Sequence, residues 1–76
     1  MASLREAKKR ATRHAIADSA ARLVLAEGAE KLTVARIAEV AGVSPRTFHN
    51  YFTSASDALL FFTASVLESF SENLDE

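Results

Sequence analysis

Apolar residues recur along this chain at helical spacing, and each recurrence ends at a residue that stops a helix. Ile16, Ala20, Leu23 and Val24 share one face at about 100° per residue, the stripe expected to pack on a core. The segment closes at Gly28, a residue suited to the left-handed backbone that often ends a helix. Leu4, Ala7 and Ala11 fall on roughly the opposite side, so the first dozen residues do not extend the core stripe. Ser3-Leu4-Arg5-Glu6 has the form of a capping box that starts a helix at residue 4. The change of phase predicts that residues before Thr12 overhang or fray.

A second helix is announced by Thr33 as N-cap, with Val34, Ile37, Ala38 and Ala41 on one side and Arg36 and Glu39 on the other. It ends before Gly42. The third begins at Ser44, an N-cap, followed by Pro45 at the first helical position, where a missing N–H costs nothing. It is expected to run to about Tyr51, with Phe48, Tyr51 and Phe52 turned inward and Arg46, His49 and Asn50 outward. Ser54 caps a fourth helix whose stripe collects Leu59, Phe62, Val66, Leu67, Phe70 and Leu74, with Phe61 on the acidic face beside Asp57, Glu68 and Glu72. No strand alternation or hairpin turn competes. The fold class is therefore all-α: a three-helix domain with a helix-turn-helix in its second and third helices, plus a fourth, C-terminal connecting helix. Residues 1–11 form a basic extension, 12–53 the helix-turn-helix domain and 54–76 the fourth helix.

Composition narrows the chemistry. Seventy-six residues without cysteine hold one small domain, with no disulfide, no thiol nucleophile and no Cys-rich zinc site. The longest apolar run, Ala58–Phe62, is far short of the ~18 residues a membrane span needs. No secretory signal is visible, so a cytoplasmic, non-anchored domain is expected. The net charge of −1 is a cancellation. Residues 1–50 hold all nine Lys and Arg against five acids, a balance of +4, whereas residues 51–76 hold five acids and no base. This asymmetry suggests that the first part faces a polyanion.

The polyanion has a reader in residues 33–52. A helix of about eight residues, a turn opened by Gly42 and a second helix capped by Ser44 form the layout of a DNA-reading helix-turn-helix. On its outward face Arg46 can donate two bonds to guanine, and Asn50 can pair with adenine or reach a phosphate. Thr47 and His49 suit a thymine methyl or phosphate oxygens. The helix start at Ser44 and Pro45 presents free backbone N–H groups, an anion site to which Pro45 contributes its fixed φ and no N–H. Thr33 and Arg36 would flank the DNA backbone, Tyr51 could turn its hydroxyl to a phosphate, and Lys8, Lys9, Arg10 and Arg13 would add phosphate or minor-groove contacts.

Gly28, Leu32-Thr33-Val34, Ile37-Ala38, Ala41-Gly42-Val43-Ser44, Thr47-Phe48, Tyr51-Phe52, Ser54 and Leu59-Leu60 together resemble the N-terminal DNA-binding domain of the TetR family of bacterial transcriptional regulators. The resemblance covers about residues 12–62. It implies a repressor-type domain, binding a palindromic double-stranded DNA operator as a homodimer in the full-length protein. A small-molecule effector would act only through a further all-helical domain after the fourth helix. On this reading the chain is a domain cut from a longer protein, and Leu67, Phe70 and Leu74 await a surface it lacks. Three positions depart from the family pattern: His49 where many relatives have Tyr, Ala55 where Lys often supplies a phosphate contact, and Arg46 where many have a small residue.

Other classes are weaker. His14 and His49 lie on different helices without a completing acid set, so no metal and no cofactor is expected. Ser and Thr residues sit at caps and polar faces without a base and an orienting acid, so no catalytic site is expected. The alternative reading is a helical protein-interaction module that works through the apolar face of the fourth helix.

Overall fold

The computed structural model describes residues 3–74, with side chains described through residue 70. It contains α1 (Leu4–Glu27), a 3-10 turn (Ala29–Lys31), α2 (Val34–Ala41), α3 (Pro45–His49) and α4 (Ala55–Leu74). Among the described residues there is no strand.

α1 is the axis of the molecule. Its 24 residues span about 36 Å at 1.5 Å per residue, close to the 39 Å longest dimension of the chain. Ile16, Ala17, Ala20 and Leu23 enter the core, where they meet Ile37 of α2, Phe48 of α3, Phe52 and Ala58 of α4. The small side chains of Ala17, Ala20, Ala38 and Ala58, all essentially without exposure, let α2 and α4 approach α1 closely. Phe48 fills the centre and is fully buried. Ser19 is also buried, its hydroxyl donating to the Ala15 carbonyl at 2.8 Å, so no polar group is stranded there.

The caps explain where the helices begin. Ser3 Oγ accepts from the Glu6 N–H, Thr33 Oγ1 from Arg36 N–H, Ser44 Oγ from Thr47 N–H and Ser54 Oγ from Asp57 N–H. Each cap therefore satisfies an N–H that has no partner inside its own helix. α2 ends in a Schellman motif: Gly42, at φ 74° and ψ 30°, donates to the Glu39 carbonyl, and Val43 donates to that of Ala38. That left-handed residue turns the chain from α2 into α3.

The residues before Thr12 overhang the core without fraying: α1 is helical from Leu4, because Ser3 caps it and the residues that follow are strong helix formers. Four details depart from the sequence-based expectations. Gly28 has a positive φ of 93° but an extended ψ of 159°, a conformation essentially confined to glycine, and it leads into an unforeseen 3-10 turn rather than a left-handed cap. α3 ends at His49, two residues early, because the Asn50 and Tyr51 N–H groups close tighter turns on Thr47 and Phe48. Ala58, absent from the predicted stripe of α4, is fully buried. Phe61, expected on the acidic face, packs its ring 5.6 Å from Phe52 and 5.1 Å from His14. A long aromatic side chain reaches the core from the flank of a helix where a short one would not. Leu67 and Phe70 remain over 60% exposed. The side chains of Leu74 and Glu72, and residues Asp75 and Glu76, lie outside the described residues, as do Met1 and Ala2.

Candidate nucleic-acid interface

A five-residue helix has little stability of its own, so α3 is held from both ends. At its start, Pro45 supplies the helical φ and Ser44 bonds the Thr47 N–H at 3.0 Å. The Ser44 hydroxyl also donates to Thr47 Oγ1 at 3.1 Å, which leaves the Thr47 hydroxyl proton available to an outside acceptor. Beneath it, Phe48 anchors the helix in the core, with Phe52 at 5.8 Å between ring centroids. His49 stands edge-on to Phe48, its ring at 5.4 Å and 87°.

With its inner face fixed, α3 presents a consistent outer one. Ser44, Pro45, Arg46, His49 and Asn50 are exposed, and Thr47 is half-buried among them. Arg46 has no hydrogen-bond or ion-pair partner among the described residues, so its guanidinium donors are unspent. At the start of α2, Thr33 caps the helix through its lone pair and retains its hydroxyl proton.

Arg36 has a different setting from the one expected. Its guanidinium is paired with Glu39 on α2 and with Glu27 at the end of α1. The hydrogen bond to Glu39, then that to Glu27 and its negative charge, hold the guanidinium pKa above its ordinary value. A cation satisfied by two carboxylates ties α1 to α2 rather than standing free beside a DNA backbone. The Glu39 partner is legible as an i, i+3 pair. Glu27 comes into reach only through the turn at Gly28.

The basic residues of α1 divide by helical phase. Lys8 and Lys9, with Leu4, Arg5 and Thr12, line an open groove of about 410 Å³ whose other wall is Tyr51. Arg13 lies over the Tyr51 ring, its guanidinium carbon 5.8 Å from the centroid. Arg10 is about 200° around the helix from Lys8 and takes no part in this groove. Arg5 and Thr12 were not among the residues singled out by sequence; only the crossing of α1 over Tyr51 brings them in. No group of three His, Asp or Glu side chains is placed to hold a metal ion among the described residues, and no helix there is long and apolar enough to cross a membrane.

Over residues 16–59 the chain matches the family described as bacterial regulatory proteins, tetR family. The chain belongs to the TetR family. Its α2–α3 unit is the helix-turn-helix of a TetR-family DNA-binding domain. The chain is similar to the HTH-type transcriptional regulator TcmR of Streptomyces glaucescens, with 40% identity over 67 residues. That match takes in 88% of this chain and 30% of TcmR, so the chain spans under a third of the length of this curated relative. The segment matched to the TetR family begins at Ile16, the first buried residue of α1, and ends one residue after Ala58. It therefore takes in the core and the helix-turn-helix but leaves residues 4–15 of α1 outside.

Proposed function

We propose that this TetR-family domain recognises a palindromic operator by placing α3 in the major groove, and that the whole protein acts as a homodimeric repressor. The observation that carries this reading is the rigid seating of α3. Phe48 is buried beneath a helix whose Arg46, Thr47, His49 and Asn50 are turned outward. Arg46 and Asn50 read base edges, Ser44, Thr47, His49, Thr33 and Tyr51 hold phosphates, and Pro45 contacts the DNA through its apolar ring. Arg36 serves this interface by bracing α2. One domain reads one half-site, so a dimer is needed for tight binding. A small-molecule effector acts through parts of the protein beyond this span, and regulation takes place in the cytoplasm, at the nucleoid.

Selection of bound duplexes from a random pool, with two copies of the domain joined as a dimer, yields the operator. On that duplex Arg46→Ala is expected to cost about 1–3 kcal/mol and to relax specificity at one position in each half-site. Equal affinity and equal discrimination in the variant would remove Arg46 from base reading.

A second reading draws on the exposure of Leu67 and Phe70: α4 is a protein-docking surface and the helix-turn-helix a scaffold. Backbone amide shifts on addition of duplex separate the two. Changes centred on residues 44–51 support DNA reading, and changes confined to α4 support docking.

A further inference from the structure

We propose that Glu27, at the end of α1 and outside the helix-turn-helix, is a positioning residue for DNA reading: through Arg36 it clasps the connection that sets the start of α2 and the Thr33 cap. This inference rests on the DNA-reading function of the helix-turn-helix and adds to it a carboxylate that no phosphate would attract.

Three observations converge on it. First, the connection has little else to hold it. Between Glu27 and Arg36 the chain passes through Gly28, in its glycine-only conformation, and through the 3-10 turn Ala29–Lys31, in which no residue is buried. Leu32 and Val34 pack on the core, each partly buried, and the Arg36–Glu27 pair closes the stretch into a loop. Second, the guanidinium is held at both edges of its fork. One terminal nitrogen donates to Glu39, three residues further along α2, and the other donates to Glu27. The partner on the same helix restrains the side chain, so the second edge is aimed across the turn at α1. Third, the charge is the reverse of a phosphate site. Two carboxylates around one guanidinium form a net negative cluster, which repels a DNA backbone. Its work is to hold protein to protein.

Thr33 is the residue that this clasp places. It lies inside the closed loop, and its Oγ1 accepts from the Arg36 N–H at 3.2 Å. Arg36 is therefore tied by its backbone to the cap of α2 and by its side chain to the end of α1. Slack in the ion pair passes to the Thr33 hydroxyl and, along α2, to α3. The side chains of Arg36 and Glu27 are 38% and 39% exposed, so water screens the pair and its effect is modest. The clasp adjusts DNA affinity and does not create it.

The test compares two acids of the same connection that differ in having this partner. Glu27→Gln removes the charge from the clasp. Glu30→Gln removes an equal charge from the 3-10 turn, where Glu30 is exposed and has no ion-pair partner among the described residues. Both changes lie on the surface, so the fold persists. Binding of the chain to the selected operator is followed by fluorescence anisotropy over a range of salt. Glu27→Gln is expected to weaken binding about two- to fivefold, the scale of an exposed ion pair. The slope of log K against log salt should not change, because no phosphate contact is lost. Glu30→Gln should bind as tightly as the parent or slightly tighter, since it removes repulsion alone. Arg36→Lys keeps the cation without the fork and should weaken binding as Glu27→Gln does. In both clasp variants amide exchange of the free chain should quicken over residues 29–33 and stay slow over residues 16–23.

Tighter binding by Glu27→Gln, with a slope steeper by about 0.9, overturns the clasp and makes Arg36 a phosphate ligand masked by carboxylates. Equal effects of Glu27→Gln and Glu30→Gln overturn it too, as does parental affinity in Arg36→Lys, because a phosphate contact tolerates lysine. Arg46→Ala on the same operator is read in parallel. If it loses discrimination while Glu27→Gln binds like the parent, the clasp alone fails. If it discriminates like the parent while Glu27→Gln binds more weakly than Glu30→Gln, the base reading by α3 alone fails.

Discussion

The two halves of α1 share one continuous backbone and have opposite fates. From Ile16 to Leu23 the helix is the hub of the core, with side chains buried against α2, Phe48, Phe52 and Ala58. From Leu4 to Ala15 nearly every residue is exposed. The first half is held by its cap and by residues with high helix propensity, Leu4, Arg5, Glu6, Ala7, Lys8 and Lys9. The second is held by tertiary packing and contains Ser19, a weak helix former that is buried all the same. The same secondary structure thus has two physical origins, and these assign different work. The packed half fixes α3 in place; the exposed half carries charge outward.

The sharpest way to break this contrast is to attack the packed half. Ile16→Ala removes a fully buried side chain from a core with little room to collapse, at an expected cost of about 2–5 kcal/mol. A chain of this size has a total stability of roughly 4–11 kcal/mol at ~0.05–0.15 kcal/mol per residue. Urea unfolding followed by circular dichroism should therefore show a large loss of midpoint or no folded baseline. A loss below about 1 kcal/mol would mean that Ile16 is not the keystone its burial indicates.

A proline at the junction acts on the link itself. In a helix interior proline costs about 3 kcal/mol or more, but it is tolerated at the first helical position. With Ala11→Pro, α1 can restart at residue 11 and abandon the arm, which buries almost nothing. Global stability should fall by only about 1 kcal/mol, the scale of a lost cap. Affinity for mixed-sequence duplex should fall, although every charge is retained. Unchanged binding would show that the charge of the arm matters and its placement does not.

Much of this architecture is legible in the chain because its signals are local. Thr33, Gly42, Ser44 and Pro45 each mark a helix end within four residues, and the structure places a cap, a Schellman turn and a first helical proline there. The family match likewise falls on the segment where those signals are dense. What escapes is what depends on the path of the chain in space. Glu27 meets Arg36 through the turn at Gly28, whose extended ψ cannot be inferred from a glycine alone. Phe61 is off the apolar stripe by phase, yet its length carries it to Phe52. Tyr51 and Arg5 are 46 residues apart, and nothing in either neighbourhood announces that they line one groove. The basic cluster of residues 8–13 is visible as composition; its division into Lys8 and Lys9 on one side and Arg10 on the other emerges once α1 is known to be helical throughout.

The smallest change bears on why the arm is ordered at all. Ser3 Oγ accepts from the Glu6 N–H at 3.1 Å, and no tertiary contact compensates if that bond is lost. Ser3→Ala should destabilise the arm locally by about 0.5–1 kcal/mol, at the low end for caps because the site is exposed. Global unfolding should not move, since the arm contributes little to the core. Amide exchange should instead quicken over residues 6–9 and remain slow from residue 16 onward. Duplex affinity should fall slightly and equally on all sequences, because the groove cations must first be ordered before they bind. Were exchange to quicken equally in both halves, α1 would be one cooperative unit, and the separate origins assigned to its two halves would be wrong.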